Sequence, residues 1–419
     1  MKLQELLKEI GISLDTSIEI NSIKTNSKEI VKDDLFIALN NGHDYVEEAI
    51  LNGAIAVIVE NGKQYDAFTI HVNSTIETLG VIASYMRKIH KIPLIAITGS
   101  NGKTTTKELI SLIISTKYNV LKSEKNINNH IGLPLTLLKL NRYYDVVVTE
   151  LGMNHKGEIK YLSNICKPDY AVITNIGSAH IGNLGSKKNI YLEKLDIISN
   201  NCNLLINNDD RLLKKTKYNK LIRVNKKKLN VKNIKYFDNR IEFFINNEKF
   251  IFNSPFKHIL IDVLLAIKIG LLLDVDIRLI KEAIFEYKSI DGRLSIINDK
   301  YTIINDCYNS SFEALKGALL NLKKEKRFKI IILADMLELG EYSYNYHKKV
   351  NKYLRKIKNK DVLLLGKYSK VINGKKFNNI DEIKDYLNNI NIDNSIIYIK
   401  GSRKMNLDKI VDYLHCKKG

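Results

Sequence analysis

The segment LIAITGSNGKTTTKELI at residues 94–110 decides the architecture of this 419-residue chain. An apolar run typical of a buried parallel strand leads directly into Gly99–Thr105, and apolar residues then recur at helical spacing. Glycines let the backbone curl so that successive N–H groups point at phosphate oxygens, and the dipole of the following helix favours the same anion. Lys103 can neutralise the outer phosphates and the hydroxyl of Thr104 can bind Mg²⁺. The segment therefore predicts a nucleotide phosphate loop.

This loop is shorter than the full phosphate-binding motif, because position 97 is Ile and not Gly. An ordinary glycine-containing turn between a strand and a helix is the alternative, but it does not account for a lysine followed by three threonines. The strand before the loop and the helix after it favour nucleotide binding. The predicted nucleotide-binding residues are Gly99, Ser100, Asn101, Gly102, Lys103, Thr104 and Thr105.

Apolar runs like the one before the loop recur along the chain and predict an α/β fold with mostly parallel sheets. The pattern of these runs along the sequence changes twice. This predicts three domains over 1–83, 84–290 and 291–419, the last with a second, smaller doubly wound sheet. The Asn- and Lys-rich stretch 207–250 predicts surface loops and short strands. The runs are LFIAL at 35–39, AIAVIV at 54–59, VVVT at 146–149, AVIT at 171–174, LLI at 204–206, KIIIL at 329–333, VLLL at 362–365 and IIYI at 396–399.

The composition narrows the classes of partner. The 66 Lys and Arg residues outnumber the 46 Asp and Glu, which gives a net charge of +20, but no basic tail or aromatic-plus-basic module accompanies them. A nucleic-acid partner is therefore not predicted, whereas anionic small molecules suit this charge. The four cysteines show no CxxC spacing, and the most apolar segment, 259–273, is shorter than the about 20 residues of a membrane span. Charges also interrupt the N-terminal apolar run. We expect a cytoplasmic protein without a signal peptide or a membrane span.

Three residues beyond the loop are candidates for chemistry. Glu150 ends the run VVVTE, and a carboxylate at that end of a parallel strand lies where such sheets bind ligands and could hold Mg²⁺. His180 follows the next run, and Lys194 lies in the helix-like YLEKLDIIS. Taken alone, these residues also fit an ordinary strand-terminal Glu, a structural loop His and a solvent-facing helical Lys.

Longer stretches follow one another in an order that resembles the Mur ligase family over nearly the whole chain. The family is identified from these stretches together with the phosphate loop, and so many ordered matches make coincidence an inadequate explanation. The stretches are TNSKEIVKDDLFIAL at 25–39, NGHDY at 41–45, NNHIGLPLTLL at 128–138, ELGMNHKGEI at 150–159, ITNIGSAHIGNLGS at 173–186, EKLDI at 193–197, DGRL at 291–294, NDCYNSS at 305–311, ADMLELGEYS at 334–343 and KGSRKM at 400–405.

The resemblance implies a mixed α/β domain at 1–83 that grips the UDP moiety of a substrate, a central ATPase at 84–290 and a Rossmann-like domain at 291–419. It implies an ATP- and Mg²⁺-dependent ligase that joins a carboxylate to an amine through an acyl-phosphate. Several of the stretches point to UDP-N-acetylmuramoyl-tripeptide and D-alanyl-D-alanine as the substrates, in peptidoglycan precursor synthesis. We expect the enzyme to act as a monomer.

The resemblance also assigns roles to individual residues. Lys103, His180 and Lys194 are implied to be catalytic, and Lys194 matches a lysine that the family carbamylates. The implied metal ligands are Thr104, Glu150, His180 and Lys194. Arg293 and Asp306 are implied to reach the ATP phosphates and ribose from the C-terminal domain. The implied substrate-binding residues are Asn129 and Thr136 beside the loop, and Ser27, Gly42, His43 and Asp44 at the uridine nucleotide.

The chain departs from the family pattern at three places. A His-Asn…Asn pattern that contacts adenine is here His258–Asp262, with Ile259 and Asp262 in place of both asparagines. A front DSR reads Asn26–Ser27–Lys28, and YNANP reads YNSSF at 308–312. The alternatives are another Mur ligase, a folylpolyglutamate synthase-like ligase, or a nucleotide-binding regulatory protein that has lost catalysis. The third residue of the tripeptide is not determined by the sequence.

Overall fold

The structure is a computed structural model that describes residues 1–60, 62–124, 127–199 and 202–416. Its strands form four sheets that follow one another along the chain. The first contains four strands and the second six, and a three-stranded antiparallel sheet and another six-stranded sheet follow. Among the helices described, none combines the length and the apolar character that crossing a bilayer requires.

The N-terminal sheet has the order β1-β2-β3-β4 and all its strands are parallel. Its strands are short and buried, and helices cover them. The elements are α1 (Leu3–Glu9), β1 (Ile23–Lys24), β2 (Asp34–Ile37), α2 (Val46–Leu51), β3 (Ala54–Val59), β4 (Phe68–His71) and α3 (Thr75–Ile89). The side chain of Ser74 caps α3 by accepting the N–H of Glu77.

The central sheet is also parallel, in the order β10-β9-β8-β5-β7-β6, so β5 lies in its interior. A largely apolar helix, α9, packs against α4 in the core. The elements are β5 (Leu94–Thr98), α4 (Lys103–Ile114), β6 (Val120–Lys122), α5 (Gly132–Leu138), β7 (Val146–Glu150), α6 (Glu158–Cys166), β8 (Tyr170–Ile173), α7 (Ile181–Leu184), α8 (Lys187–Leu195), β9 (Asn203–Asn207), β10 (Leu221–Val224), β11 (Lys232–Tyr236), β12 (Ile241–Ile245), β13 (Glu248–Phe252), α9 (Leu260–Leu272) and α10 (Ile277–Glu286).

The C-terminal sheet has the order β14-β15-β19-β16-β17-β18, with only β14 antiparallel to its neighbour. Its inner strands β16, β17 and β19 are buried, mostly apolar runs, as expected where helices cover both faces of a sheet. The elements are β14 (Ser295–Asn298), β15 (Thr302–Asn305), α11 (Phe312–Leu322), β16 (Lys329–Ala334), α12 (Ser343–Leu354), β17 (Lys360–Leu365), β18 (Lys375–Phe377), α13 (Ile380–Asn388), β19 (Ile396–Lys400) and α14 (Asp408–Cys416).

The predicted α/β class is confirmed, and every predicted apolar run overlaps an observed strand. The second large sheet is not smaller than the first, since each has six strands. The short strands predicted within 207–250 are β10 to β13. The predicted boundary at 83/84 lies inside α3, and that at 290/291 lies between α10 and β14. The domain limits stay predictions.

Candidate active site

The phosphate loop leaves β5 and requires glycine at two positions. Gly99 has φ of 153°, and a Cβ there would lie 1.8 Å from Thr174 Oγ1. Gly102 has φ of 80° directly before α4, and its Cβ would lie 2.5 Å from Asp262 Oδ1. Lys103 begins α4 and folds back, so that its Nζ donates to the carbonyl of Gly99 at 2.9 Å. The loop thus places a lysine and a helix N-terminus together, as an anion site requires.

Two oxygen atoms beside the loop are buried without a hydrogen-bond partner, Thr104 Oγ1 and Glu150 Oε1. Glu150 ends β7, which pairs with β5 so that Glu150 lies opposite Ile97. Unpartnered buried oxygens are costly, and a hydroxyl and a carboxylate are ligands that Mg²⁺ prefers. The pair therefore fits the metal that the sequence predicted. In the ranges that the structure describes, no three His, Cys, Asp or Glu side chains form a ready-made metal cluster.

His180 and Lys194 are both removed from solvent. His180 adopts a left-handed conformation, φ 62°, directly before α7. Burial, followed by the charges of Lys103 and Lys194, lowers the pKa of the His180 ring to about 3, so the imidazole is neutral and can act as a ligand. Lys194 is 1% exposed on α8, so it is not the solvent-facing lysine that its local sequence also fitted. Burial and then Lys103 hold the pKa of Lys194 well below its ordinary value.

Lys194 lies behind the wall of the site and does not line the cavity itself. Its neighbour Glu193 accepts the N–H groups of Gly157 and Ile159, at 2.9 and 3.1 Å, which fixes α8 against the start of α6. After burial, the positive charges of Lys103 and Lys194 both lower the pKa of His180, so the three residues are coupled electrostatically.

The C-terminal domain completes the site from the opposite side. The guanidinium of Arg293 lies 4.0 Å from the centre of the Tyr308 ring. Asp306 pairs with Lys400 at 2.7 Å, and both are nearly buried. The hydroxyl of Ser311 donates to the side chain of Asn101 in the phosphate loop. Arg293 and Asp306 therefore face the same space as the loop.

A second set of contacts joins the two domains. Glu313 of α11 accepts the N–H and hydroxyl of Ser178 at 2.9 and 2.8 Å, and it pairs with Lys187 at 2.7 Å. Gly182 of α7 packs directly on Gly340, since a Cβ on Gly182 would lie 2.6 Å from the nitrogen of Gly340. The domains are thus closed on one another around a cavity of about 930 Å³.

The cavity collects most of the residues that the sequence predicted for ATP and metal. Residues 100–105 of the loop line it, together with Glu150, His180, Arg293 and Asp306. Asn129 lines it as well, and its Oδ1 accepts the N–H groups of Ile131 and Gly132. Gly99, the first residue of the loop, does not line the cavity.

Other predicted substrate residues lie elsewhere. Thr136 does not line the cavity, because its hydroxyl turns back to the carbonyl of Gly132 at 3.0 Å. Ser27 is buried in the N-terminal domain and donates to Glu48 at 2.8 Å. His43 accepts the N–H of Glu60 at 3.1 Å through Nε2. Gly42, His43 and Asp44 lie on a turn of 3-10 helix away from the cavity. The assignment of this turn and of Ser27 to a uridine nucleotide, and of Thr136 to the substrate, stays a prediction.

The two residues that replace the family's asparagines line the cavity beside His258. Burial raises the pKa of Asp262 well above its ordinary value, and Thr106 donates to its Oδ1 at 3.2 Å. Burial therefore favours the neutral acid at Asp262, which is close in shape and charge to the amide that it replaces. The Nδ1 atom of His258 is buried without a hydrogen-bond partner, and burial lowers the pKa of its ring to about 4.

Three residues at the site were not predicted individually. Glu338 and Glu313 come from the C-terminal domain and reach across the cavity to His180 and Ser178. Lys107 is fully buried one turn after Lys103, 3.6 Å from Glu150. The sequence pointed to the neighbourhood of two of them, because Glu338 lies in ADMLELGEYS and Lys107 follows the three threonines. Neither pattern predicts which residue each side chain contacts.

Comparisons with known proteins agree with this geometry. Residues 97–268 match the Mur ligase middle domain. The chain is 33% identical to the UDP-N-acetylmuramoyl-tripeptide–D-alanyl-D-alanine ligase of Rickettsia prowazekii over 96% of this chain and 97% of that one. It is 31% identical to the ligase of the same name from Bacillus subtilis, over 94% and 92% of the two chains.

Solved structures give the same result. MurF from Acinetobacter baumannii superposes with a TM-score of 0.89 at 25% identity, over 99% of this chain and 98% of that one. The MurF ligase of Thermotoga maritima in complex with ADP superposes with a TM-score of 0.84 at 26% identity, over 95% and 98%. The phosphate loop, the closed cavity and the full-length similarity agree: the chain belongs to the Mur ligase family and, within it, to the UDP-N-acetylmuramoyl-tripeptide–D-alanyl-D-alanine ligases.

Proposed function

We propose that this enzyme uses ATP and Mg²⁺ to join D-alanyl-D-alanine to UDP-N-acetylmuramoyl-tripeptide, in peptidoglycan precursor synthesis. The observation that carries the proposal is the cavity shared by two domains, in which the phosphate loop faces Arg293 and Asp306. Relatives of nearly the same length carry the name of this activity, and one of the similar structures holds ADP.

The reaction has two steps. The terminal carboxylate of the tripeptide attacks the γ-phosphorus, forming a C–O–P linkage and releasing ADP. The amine of the dipeptide then attacks the acyl carbon, the bond to the phosphate oxygen breaks, and phosphate and a proton leave. Phosphorylation is needed because a carboxylate is a poor acyl donor.

The residues of the chain divide this work. Lys103 would offset the charge of the outer phosphates, and Arg293 would approach them from the other domain. Thr104 and Glu150 would hold the Mg²⁺ on the phosphates, and His180 would hold a second one. When bound, Mg²⁺ supplies charge neutralisation between the carboxylate and the triphosphate. Asn129 would face the tripeptide.

Lys194 is proposed to carry a carbamate. A neutral lysine amine attacks CO₂, a C–N bond forms, and a proton is released. Burial and Lys103 both favour the neutral amine at Lys194. The product is an anion whose oxygens suit Mg²⁺, whereas an ammonium there would repel the metal and Lys103.

The remaining parts of the proposal concern context. Ser27 and Gly42–Asp44 are proposed to bind the uridine nucleotide, and the domain limits are proposed as 1–83, 84–290 and 291–419. The enzyme is proposed to act as a cytoplasmic monomer and to support cell shape and division. All four cysteines, Cys166, Cys202, Cys307 and Cys416, are free thiols, as in a reducing compartment.

Release of ADP and phosphate tests the reaction. Both should require ATP, UDP-N-acetylmuramoyl-tripeptide and D-alanyl-D-alanine together, and each substrate is left out in turn. Substrates with lysine or diaminopimelate at the third position would show which is used. Phosphate release that does not depend on the dipeptide would refute the proposed activity.

The carbamate is tested with Lys194→Ala. We expect near-complete loss of activity, and partial recovery when formate or acetate occupies the empty ligand position. Lys188→Ala is the control, since Lys188 is exposed on the same helix, and it should change little. Full activity in Lys194→Ala would exclude the role, and inactivity without recovery would exclude the carbamate.

A further inference from the structure

The C-terminal wall of the cavity carries one carboxylate that the reaction described above does not use. Glu338 lies on the turns of 3-10 helix that follow β16, residues 337–342, and it lines the cavity. Its Oε1 accepts from Asn309 Nδ2 at 3.3 Å. Its Oε2 is buried without a hydrogen-bond partner and lies 3.3 Å from His180 Nδ1.

Five other acidic residues of the cavity already have partners. Hydrogen bonds or ion pairs satisfy Glu158, Asp210, Asp262, Asp306 and Glu313. In the part of the chain that the structure describes, only Glu150 and Glu338 bring to this cavity a buried carboxylate oxygen that accepts no hydrogen bond, and that of Glu150 has Lys107 at 3.6 Å. Glu150 lies beside Thr104 and suits a metal. Glu338 is on the opposite domain and requires another cation.

The cations nearest to Glu338 have other proposed tasks. Lys103 and Lys194 both act on its charge, but Lys103 is assigned to the ATP phosphates and Lys194 to a carbamate. The second half-reaction brings a cation of its own, the terminal ammonium of the dipeptide, which has to reach the acyl carbon held near the phosphate loop. A carboxylate on the wall facing the loop is suitably placed to receive it, and a charge-assisted hydrogen bond to an ammonium is stronger than a neutral one.

We propose that Glu338 binds the ammonium group of the incoming D-alanyl-D-alanine and holds its nitrogen against the acyl-phosphate, where the ammonium releases a proton to solvent before the amine attacks. The inference rests on the proposed function and names the residue that selects the second substrate. Because Glu338 belongs to the C-terminal domain, it reaches this position only when the two domains are closed. Selection of an amine nucleophile is thereby tied to closure.

Glu338→Gln tests the proposal, because it keeps the size of the side chain and removes its charge. The KM for D-alanyl-D-alanine should rise by about tenfold or more, the effect of uncharging one partner of an ion pair in a partly dehydrated site. The KM values for ATP and for the UDP substrate should stay within about twofold of wild type. Glu338→Asp should recover part of the loss. Glu341→Gln is the matched control, since Glu341 is exposed on the same segment, and it should leave all three KM values unchanged.

Two further measurements separate binding from other roles. Isotope exchange between ADP and ATP that depends on the UDP substrate reports the first half-reaction, and Glu338→Gln should retain it. N-acetyl-D-alanyl-D-alanine lacks the ammonium. Its inhibition constant against the dipeptide should therefore be much higher than the KM of the dipeptide in the wild type, and this difference should be smaller in Glu338→Gln.

An unchanged KM for the dipeptide would overturn the proposal. So would loss of the exchange reaction, or weakened Mn²⁺ binding measured by electron paramagnetic resonance, because either would make Glu338 a structural clamp or a metal ligand. Thermal unfolding of each variant checks that it folds. Absence of dipeptide-dependent phosphate release in the wild type would instead refute the proposed function itself, and the inference with it.

Discussion

Replacing Lys107 by methionine removes the counter-ion of the carboxylate that is proposed to hold the metal. Lys107 is 0% exposed, Glu150 is 1% exposed, and their charged atoms are 3.6 Å apart. Lys107 also donates to the carbonyl of Ser123 at 2.6 Å and pairs with Glu108 at 3.0 Å. Glu108 pairs in turn with Lys122, which is 47% exposed, so four alternating charges lead from the surface to the buried carboxylate.

The magnitude follows from this burial. Methionine fills the space of the lysine stem, so no large cavity is created. What remains is Glu150 buried without its cation, and breaking a buried pair in this way costs about 3–5 kcal/mol. Lys122→Met breaks a pair on the same Glu108 near the surface, where an ion pair contributes about 0–1 kcal/mol. Both variants remove a lysine charge that pairs with Glu108, and they differ mainly in whether that lysine is buried or near the surface.

Urea unfolding of the nucleotide-free enzyme, followed by circular dichroism, measures both losses. We expect Mg²⁺ with ADP to stabilise Lys107→Met more than the wild type, because a cation then neutralises Glu150 again. If Lys107→Met loses no more stability than Lys122→Met, Glu150 does not depend on Lys107. An equal gain from Mg²⁺ and ADP in variant and wild type would contradict the placement of the metal at Glu150.

Three further outcomes are expected. Asp262→Asn should gain stability relative to the wild type as the pH rises from about 4 towards the raised pKa of Asp262, because the wild-type acid ionises there in the unfolded chain but stays protonated when buried, whereas the amide does not titrate. Asp276→Asn removes a carboxylate whose pKa Arg278 lowers to about 2, so this variant should lose stability in the same unfolding experiments. Small-angle scattering of the wild type should show a smaller radius of gyration after an ATP analogue and the UDP substrate are added. The radius of gyration of Gly182→Ala should not change on the same addition, because its Cβ blocks the closed contact, and contraction of the variant would count against that contact. Lys103→Ala should lose nearly all ligase activity with an unchanged circular dichroism spectrum, and substantial remaining turnover would show that the phosphate loop has been misread.

The sequence was most informative where the physics is local. The buried strands Leu94–Thr98 and Ala54–Val59 have the bounds that were expected from their apolar runs. The phosphate loop was predictable because its glycines and lysine act within six residues. By contrast, β11 at Lys232–Tyr236 is largely exposed and polar, so it carries little of the apolar signal of a strand.

The site was less predictable because its partners are distant in the chain. Glu338 meets His180 across two domains, and no local pattern announces that contact. The segment around Lys194 is polar enough to suit a surface helix, yet packing buries the lysine. Thr136 was expected near the substrate, but inside α5 its hydroxyl satisfies the carbonyl of Gly132. The first two outcomes depend on tertiary packing, whereas the hydrogen bond of Thr136 is local to its helix.

The contact between Gly182 and Gly340 bears on how such an enzyme changes over evolutionary time. Mutation changes side chains and leaves the main chain the same. The atoms that meet at this contact belong to the main chain, so mutation of the neighbouring residues does not change them. Side chains beside this contact can therefore change without altering it, whereas the contacts of Glu313 with Ser178 and Lys187 depend on the side chains that make them. At this contact glycine is needed on both sides, because a Cβ on either residue would lie within 3 Å of the main chain of the other and would push the halves of the catalytic cavity apart.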